Sequence, residues 1–228
     1  MRTSKLVVAA TFCLLTLTAI AQTDEELDAD ASSTYDGLVQ VKAKGFRNVW
    51  IKPGVDPSVY SKILPGGAQF HYRDVRATPN TTAARRSATE FPIEQKNRET
   101  VERIVVDAFR EEAGKSKYFT LADEPGPDTI YVWGGLYDVV SRVPPEYVGR
   151  SEVYLSSVGE ATLVVQIEDS MTREVLARVV DRRAAEPTFA QRSNPVTNAS
   201  EVRRLAGTWA RIFRSSLDKW HDADLSAN

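Results

Sequence analysis

Two runs of strict alternation, separated by a turn, constrain this chain more than any other feature of its sequence. Ala161, Leu163, Val165 and Ile167 alternate with Thr162, Val164, Gln166 and Glu168, the period of two expected of a strand with one buried face. Asp169-Ser170-Met171-Thr172-Arg173 turns the chain, and Val175, Ala177 and Val179 resume the alternation, so residues 160–183 are read as an antiparallel hairpin. Its apolar face needs a second layer to bury it. A helix over residues 200–220 supplies one, because Val202, Leu205, Ala206, Trp209, Ile212, Phe213, Leu217 and Trp220 fall on one continuous stripe. Asn198 with Glu201, or Ser200, is read as its cap.

A second helix is predicted over residues 93–113, where Val101, Ile104, Val105, Ala108 and Phe109 recur at helical spacing and Gly114 supplies the stop. Further extended segments are read at 48–51, 59–64, 68–75, 118–122 and 129–140, broken by Pro53-Gly54, Pro65-Gly66-Gly67 and Pro125-Gly126-Pro127-Asp128. Residues 76–92 are polar and read as a surface loop. Strands that pair with neighbours rather than alternating with helices give an α+β fold, a mostly antiparallel sheet with two main helices packed on it. The hydrophobic content of 42% is enough for one such domain over residues 35–228.

The first 21 residues read as a cleavable signal peptide: Arg2 and Lys5, an apolar stretch from Leu6 to Leu17, then Ala19-Ile20-Ala21 before Gln22. The apolar stretch is shorter than a membrane span, and residues 22–34, with five carboxylates and no basic residue, read as a flexible acidic leader. Cys13, with Ala10 and bulky Phe12 before it, lacks the setting of an acylated cysteine, so the mature chain is expected to be periplasmic or secreted, without a lipid anchor. It then has no thiol and no disulfide. Acidic and basic residues number 31 and 29, too near balance to argue for nucleic acid.

The hairpin and last helix also carry a family likeness. Gly159-Glu-Ala-Thr-Leu-Val-Val-Gln-Ile-Glu-Asp-Ser, Glu174-Val-Leu-Ala-Arg-Val-Val-Asp-Arg-Arg, Arg204-Leu-Ala-Gly-Thr-Trp-Ala, Tyr35-Asp-Gly-Leu and Val49-Trp-Ile-Lys-Pro-Gly-Val-Asp resemble the bacterial envelope proteins grouped as domain of unknown function 3313. The resemblance implies an envelope address and no particular reaction. Thr172-Arg173 stands where the family's hairpin turn often has Thr-Gly.

Catalytic chemistry is thinly supplied. With His71 and His221 the only histidines and no mature cysteine, Cys/His pairs are excluded, and Gly149-Arg-Ser-Glu-Val lacks the second glycine of a serine nucleophile elbow. Asp218, His221 and Asp222, at i, i+3 and i+4, share a helix face and form a candidate divalent-ion cluster, with a frayed helix end as the alternative reading. Arg178, Asp181, Arg182 and Arg183 are a candidate anion-binding set, with cross-strand pairing to Glu160 and Glu168 as the structural alternative. Tyr131, Trp133 and Tyr137 share one side of a strand and offer a stacking surface beside Gly134-Gly135, or else belong to the core. Arg73, Arg76, Arg85 and Arg86 give the loop a positive bias, and Asn80-Thr81-Thr82 and Asn198-Ala199-Ser200 match a glycosylation sequon that is idle in a bacterium. The expected function is non-catalytic binding of an envelope component or assembly partner, without cofactor; a carboxylate-based, metal-dependent hydrolase is the alternative.

Overall fold

The computed structural model describes residues 33–75, 89–144, 154–187 and 191–222. The signal and Cys13, residues 22–32 of the leader, Arg76, Arg85, Arg86 and the Asn80 sequon lie outside them. In chain order the elements are β1 (Val39–Val41), β2 (Asn48–Ile51), β3 (Lys62–Tyr72), α1 (Gln95–Ala113), β4 (Thr120–Leu121), β5 (Thr129–Ser141), β6 (Tyr154–Leu155), β7 (Gly159–Asp169), β8 (Val175–Ala185), β9 (Gln191–Arg192) and α2 (Pro195–His221), with a 3₁₀ turn at Pro57–Val59. Seven strands form one sheet in the order β1-β2-β8-β7-β5-β3-β4, and β6 pairs with β9. The sheet is antiparallel except that β3 runs parallel to both β4 and β5. This is the α+β domain expected from the sequence.

The β7–β8 hairpin lies mid-sheet, with Val165 opposite Val179 and Gln166 opposite Arg178. Its odd-numbered residues Leu163, Val165, Ile167, Ala177 and Val179 are buried in one core with Ile104 and Val105 of α1 and Trp209, Phe213 and Leu217 of α2. Each of these side chains larger than Ala177 contributes about 1.5–3 kcal/mol by leaving water. The two helices also meet each other, with the Phe109 and Phe213 rings 6.0 Å apart. Among the described residues, no helix covers the other face of the sheet, and none is long and apolar enough to cross a membrane.

The short strands β1, β6 and β9 have no counterpart in the sequence reading, and two longer elements differ from it. Helix α2 begins at Pro195, five residues before the expected start, and its cap is Asn194, not Asn198 or Ser200. The Asn194 carboxamide oxygen accepts from the Val196 and Thr197 amides at 3.0 Å, and Thr197 Oγ1 accepts from the Asn194 amide at 3.1 Å. Proline at the first helical position loses nothing, since its missing N–H would have had no intrahelical partner. The second difference is that the segments expected on either side of Pro65-Gly66-Gly67 are one strand, β3, which the glycines carry through a bulge. A Cβ at Gly66 would lie 2.6 Å from both Trp133 Cβ and Tyr131 Cζ, so only glycine lets β3 cross those rings.

Candidate functional site

Strand pleating divides the charged set at the end of β8 between two layers. Asp181, 4% exposed, points to the helices, where its carboxylate accepts from Trp209 Nε1 at 2.8 Å, the Arg47 amide at 3.0 Å and Arg183 Nε at 2.6 Å. Arg183 also reaches the Gly45 carbonyl oxygen. Arg178 and Arg182 emerge on the helix-free face. Arg178 donates to Gln166 Oε1 and pairs with Asp36 at 2.5 Å; Arg182 pairs with Glu160 at 2.5 Å and Asp138 at 2.9 Å.

Arg73 is drawn into the same arrangement. It forks onto Asp138 at 2.6 and 2.7 Å and also meets Glu90 and, at 3.4 Å, Glu160, which Arg142 reaches at 3.3 Å. Asp138 is a bulge residue with φ of 55°, the extra residue by which β5 falls out of step with both β3 and β7. The Arg73 guanidinium holds the Asp138 carboxyl below the usual carboxylate range, and Arg182 does the same for Glu160. Three arginines thus face three carboxylates, and Arg73 is engaged internally.

The aromatic residues of β5 lie half-buried on the helix-free face. Trp133 Nε1 donates to Glu168 at 2.5 Å, and Gln166 Nε2 donates to the same oxygen at 2.8 Å. Gln166 thereby links Trp133 to Arg178. Tyr131 lies beneath Arg173, whose guanidinium carbon is 3.7 Å from the ring centroid and whose Nη2 pairs with Glu168 at 3.0 Å. Arg173 adopts φ of 63°, a conformation in which glycine would be unstrained. The pair with Glu168, whose side chain is 8% exposed, and the stack on Tyr131 offset that strain. Tyr137 stacks on His71, 4.6 Å between centroids, and donates to Gln69.

At the end of α2, the three residues considered for an ion address neighbouring structure. Asp218 accepts from Ser116 Oγ at 2.5 Å and the Lys117 amide at 3.2 Å, and pairs with Arg214 at 3.0 Å. His221 stacks on Tyr118 with centroids 4.2 Å apart, and Asp222 accepts from the Tyr118 hydroxyl. These contacts tie α2 to the turn after α1. Among the described residues, no group of three His, Cys, Asp or Glu side chains is placed to hold a metal ion.

The outer edge of β3 has groups left for a partner. β4 pairs only with Lys62 and Ile63, so beyond Ile63 no described strand lies on that side. The Arg73 amide donates inward to Val139 O, and the Gln69 carbonyl faces Gly135. By strand alternation the N–H and C=O groups of Phe70 and Tyr72 therefore face outward. This edge borders a groove of about 390 Å³ lined by Phe70, His71, Tyr72, Asp74, Pro92 and Arg98, among others. One wall is a strand edge and the other is the start of α1. Arg98 is held there by a bond from Nε to the Ile93 carbonyl at 2.8 Å and by stacking on Tyr72, 4.5 Å from the ring centroid. Tyr72 in turn donates to Glu102 at 3.0 Å, and burial, with that bond, pushes its hydroxyl pKa up.

The sequence signalled little of this groove. His71 is an exposed residue of β3, and nothing in Ala68-Gln-Phe-His-Tyr tells whether one edge or two are paired.

The family model for proteins of unknown function, DUF3313, matches residues 27–213. No curated protein matches the chain. Among solved structures, a Xanthomonas campestris protein of the DUF330 family is 15% identical, with 78% of this chain and 94% of that one covered and a TM-score of 0.41. The PelC dodecamer subunit from Paraburkholderia phytofirmans is 10% identical, with 70% and 94% covered and a TM-score of 0.30. A Helicobacter pylori protein described as a homologue of neuraminyllactose-binding hemagglutinin is 10% identical, with 80% and 90% covered and a TM-score of 0.37. At these values the likenesses carry no argument about ligands.

Proposed function

The chain belongs to the DUF3313 family of proteins of unknown function, and from that premise we propose that its domain is a non-catalytic binding protein that takes an extended peptide segment along the open edge of β3. The observation that carries this reading is the outward row of Phe70 and Tyr72 backbone groups beside a groove walled by α1. Such groups are strong hydrogen-bonding sites that an added strand satisfies in register, while the groove accepts alternate side chains. The hydrolase alternative has less support, because Asp218 and Asp222 are engaged in fixing the end of α2.

Strand addition has a signature that no side-chain contact imitates. In a bound extended peptide, alternate residues turn their amides toward β3. N-methylation at every second position is expected to abolish binding, and methylation at the intervening positions to leave it within about twofold, since each lost amide bond costs about 1 kcal/mol and the methyl also clashes. Fluorescence anisotropy with methylated alternating valine–threonine peptides measures this. Loss without the period of two would remove the strand-addition reading.

The place of action we propose is the cell envelope or the medium, supported by the leader sequence and by Ala19-Ile20-Ala21. Intact-mass measurement of the native protein is expected to give a chain beginning at Gln22 without lipid; a retained leader or a diacylglycerol on Cys13 would contradict it.

A further inference from the structure

The groove beside β3 holds a cation that the fold fixes in place and leaves unspent. Arg98 uses Nε on the Ile93 carbonyl and its flat face on Tyr72, so the guanidinium plane is set by two contacts. Its two terminal amino groups make no hydrogen bond or ion pair to a described residue. Arg73 differs, with its nitrogens engaged by Asp138, Glu90 and Glu160. Tyr72 is one of the two residues whose backbone faces an added strand, and its ring lies on the helix side of the sheet, among residues packed against the core. A side chain on that same side of an added strand, level with Tyr72, therefore arrives at Arg98. Asp74 lines the groove two residues further on with the opposite charge, so charge along the groove is placed rather than uniform.

We infer that the groove selects an extended peptide carrying a carboxylate side chain level with Tyr72, which the Arg98 guanidinium reads through its two free amino groups. The inference rests on the strand-addition reading and adds the chemistry of the segment to it. A planar fork already held in position matches a carboxylate with two parallel bonds and loses little freedom in doing so. A peptide acidic along its whole length is a poorer ligand than one with a single placed acid, because Asp74 repels the excess.

The test uses the full chain and three fluorescent alternating valine–threonine peptides that differ at one central position, glutamate, glutamine or lysine. The wild type is expected to bind the glutamate peptide at least about tenfold more tightly than the glutamine one, the low end for a charge-assisted bond, and the lysine peptide more weakly than either. Arg98→Gln is expected to bind the glutamate and glutamine peptides equally, with a circular dichroism spectrum like that of the wild type reporting an intact fold. If Arg98→Gln does not fold, Arg98→Lys carries the test: its preference is expected to shrink, and a preference equal to wild type overturns the inference. Equal binding of all three peptides by the wild type removes the charge reading and leaves strand addition standing. A glutamate preference that survives in Arg98→Gln places the carboxylate elsewhere and also overturns it. If no peptide binds, strand addition itself falls, and the selectivity falls with it.

Discussion

Replacing Trp209 with alanine is expected to lower the unfolding free energy by about 4–5 kcal/mol, the upper part of the range for aromatic truncations in cores. Two costs combine in that figure. The indole is 1% exposed and packs within the core that α2 shares with the hairpin, so its removal leaves a cavity the rigid sheet cannot close. Its Nε1 is also a donor to the buried Asp181 carboxylate, which would retain only the Arg47 amide and Arg183. Urea melts of the two proteins measure the difference. A change below about 1 kcal/mol would mean that the stripe on α2 faces a partner rather than this core.

Gly135→Ala is expected to be as damaging, by about 3 kcal/mol or more, although it adds one methyl group. A Cβ at this position runs into the Gln69 carbonyl oxygen on β3, which is backbone and cannot rotate aside. The neighbouring Gly134 meets the Val164 carbonyl in the same way on the β7 side, so the chain is pinched from both directions at the middle of β5. Gly207→Ala serves as the control, because a Cβ there has nothing within 4 Å and alanine favours the helix. Thermal melts are expected to show Gly207→Ala at or above wild type and Gly135→Ala far below it. A Gly135→Ala protein of wild-type stability would mean that β3 does not lie against β5 as described.

What the sequence revealed follows from the range over which each feature is determined. The hairpin and the stripe of α2 are written in neighbouring residues, so a period of two or of 3.6 displays them directly. Asn194-Pro195 is an equally local mark of the start of α2, but Asn198 and Ser200, a few residues on, are capping residue types too. The β3 bulge was harder to see, because Pro-Gly-Gly is the ordinary mark of a break; only Tyr131 and Trp133, more than 60 residues on, explain why it keeps the strand going.

The division of the charged set has a similar cause. The alternation that buries Ala177 and Val179 continues to Asp181 and Arg183, so period alone points both to the helix side. An aspartate is accepted there because Trp209, distant in sequence, supplies the donor. Arg98 had no local mark, since it is one of several charges on the exposed part of a helix. Its role depends on Tyr72 beneath it and on the outer edge of β3, where no described strand lies beyond Ile63.

Strand addition depends on that edge, and amide hydrogen exchange along β3 in the free protein tests it most directly. The amides of Gln69, His71 and Arg73, turned toward β5, are expected to be protected to near the level of the β7–β8 core, whereas those of Phe70 and Tyr72 exchange many times faster and gain protection when peptide is added. Phe70 and Tyr72 amides protected as strongly as Arg73 in the free protein would show the edge already paired, and would contradict the proposed function at its base.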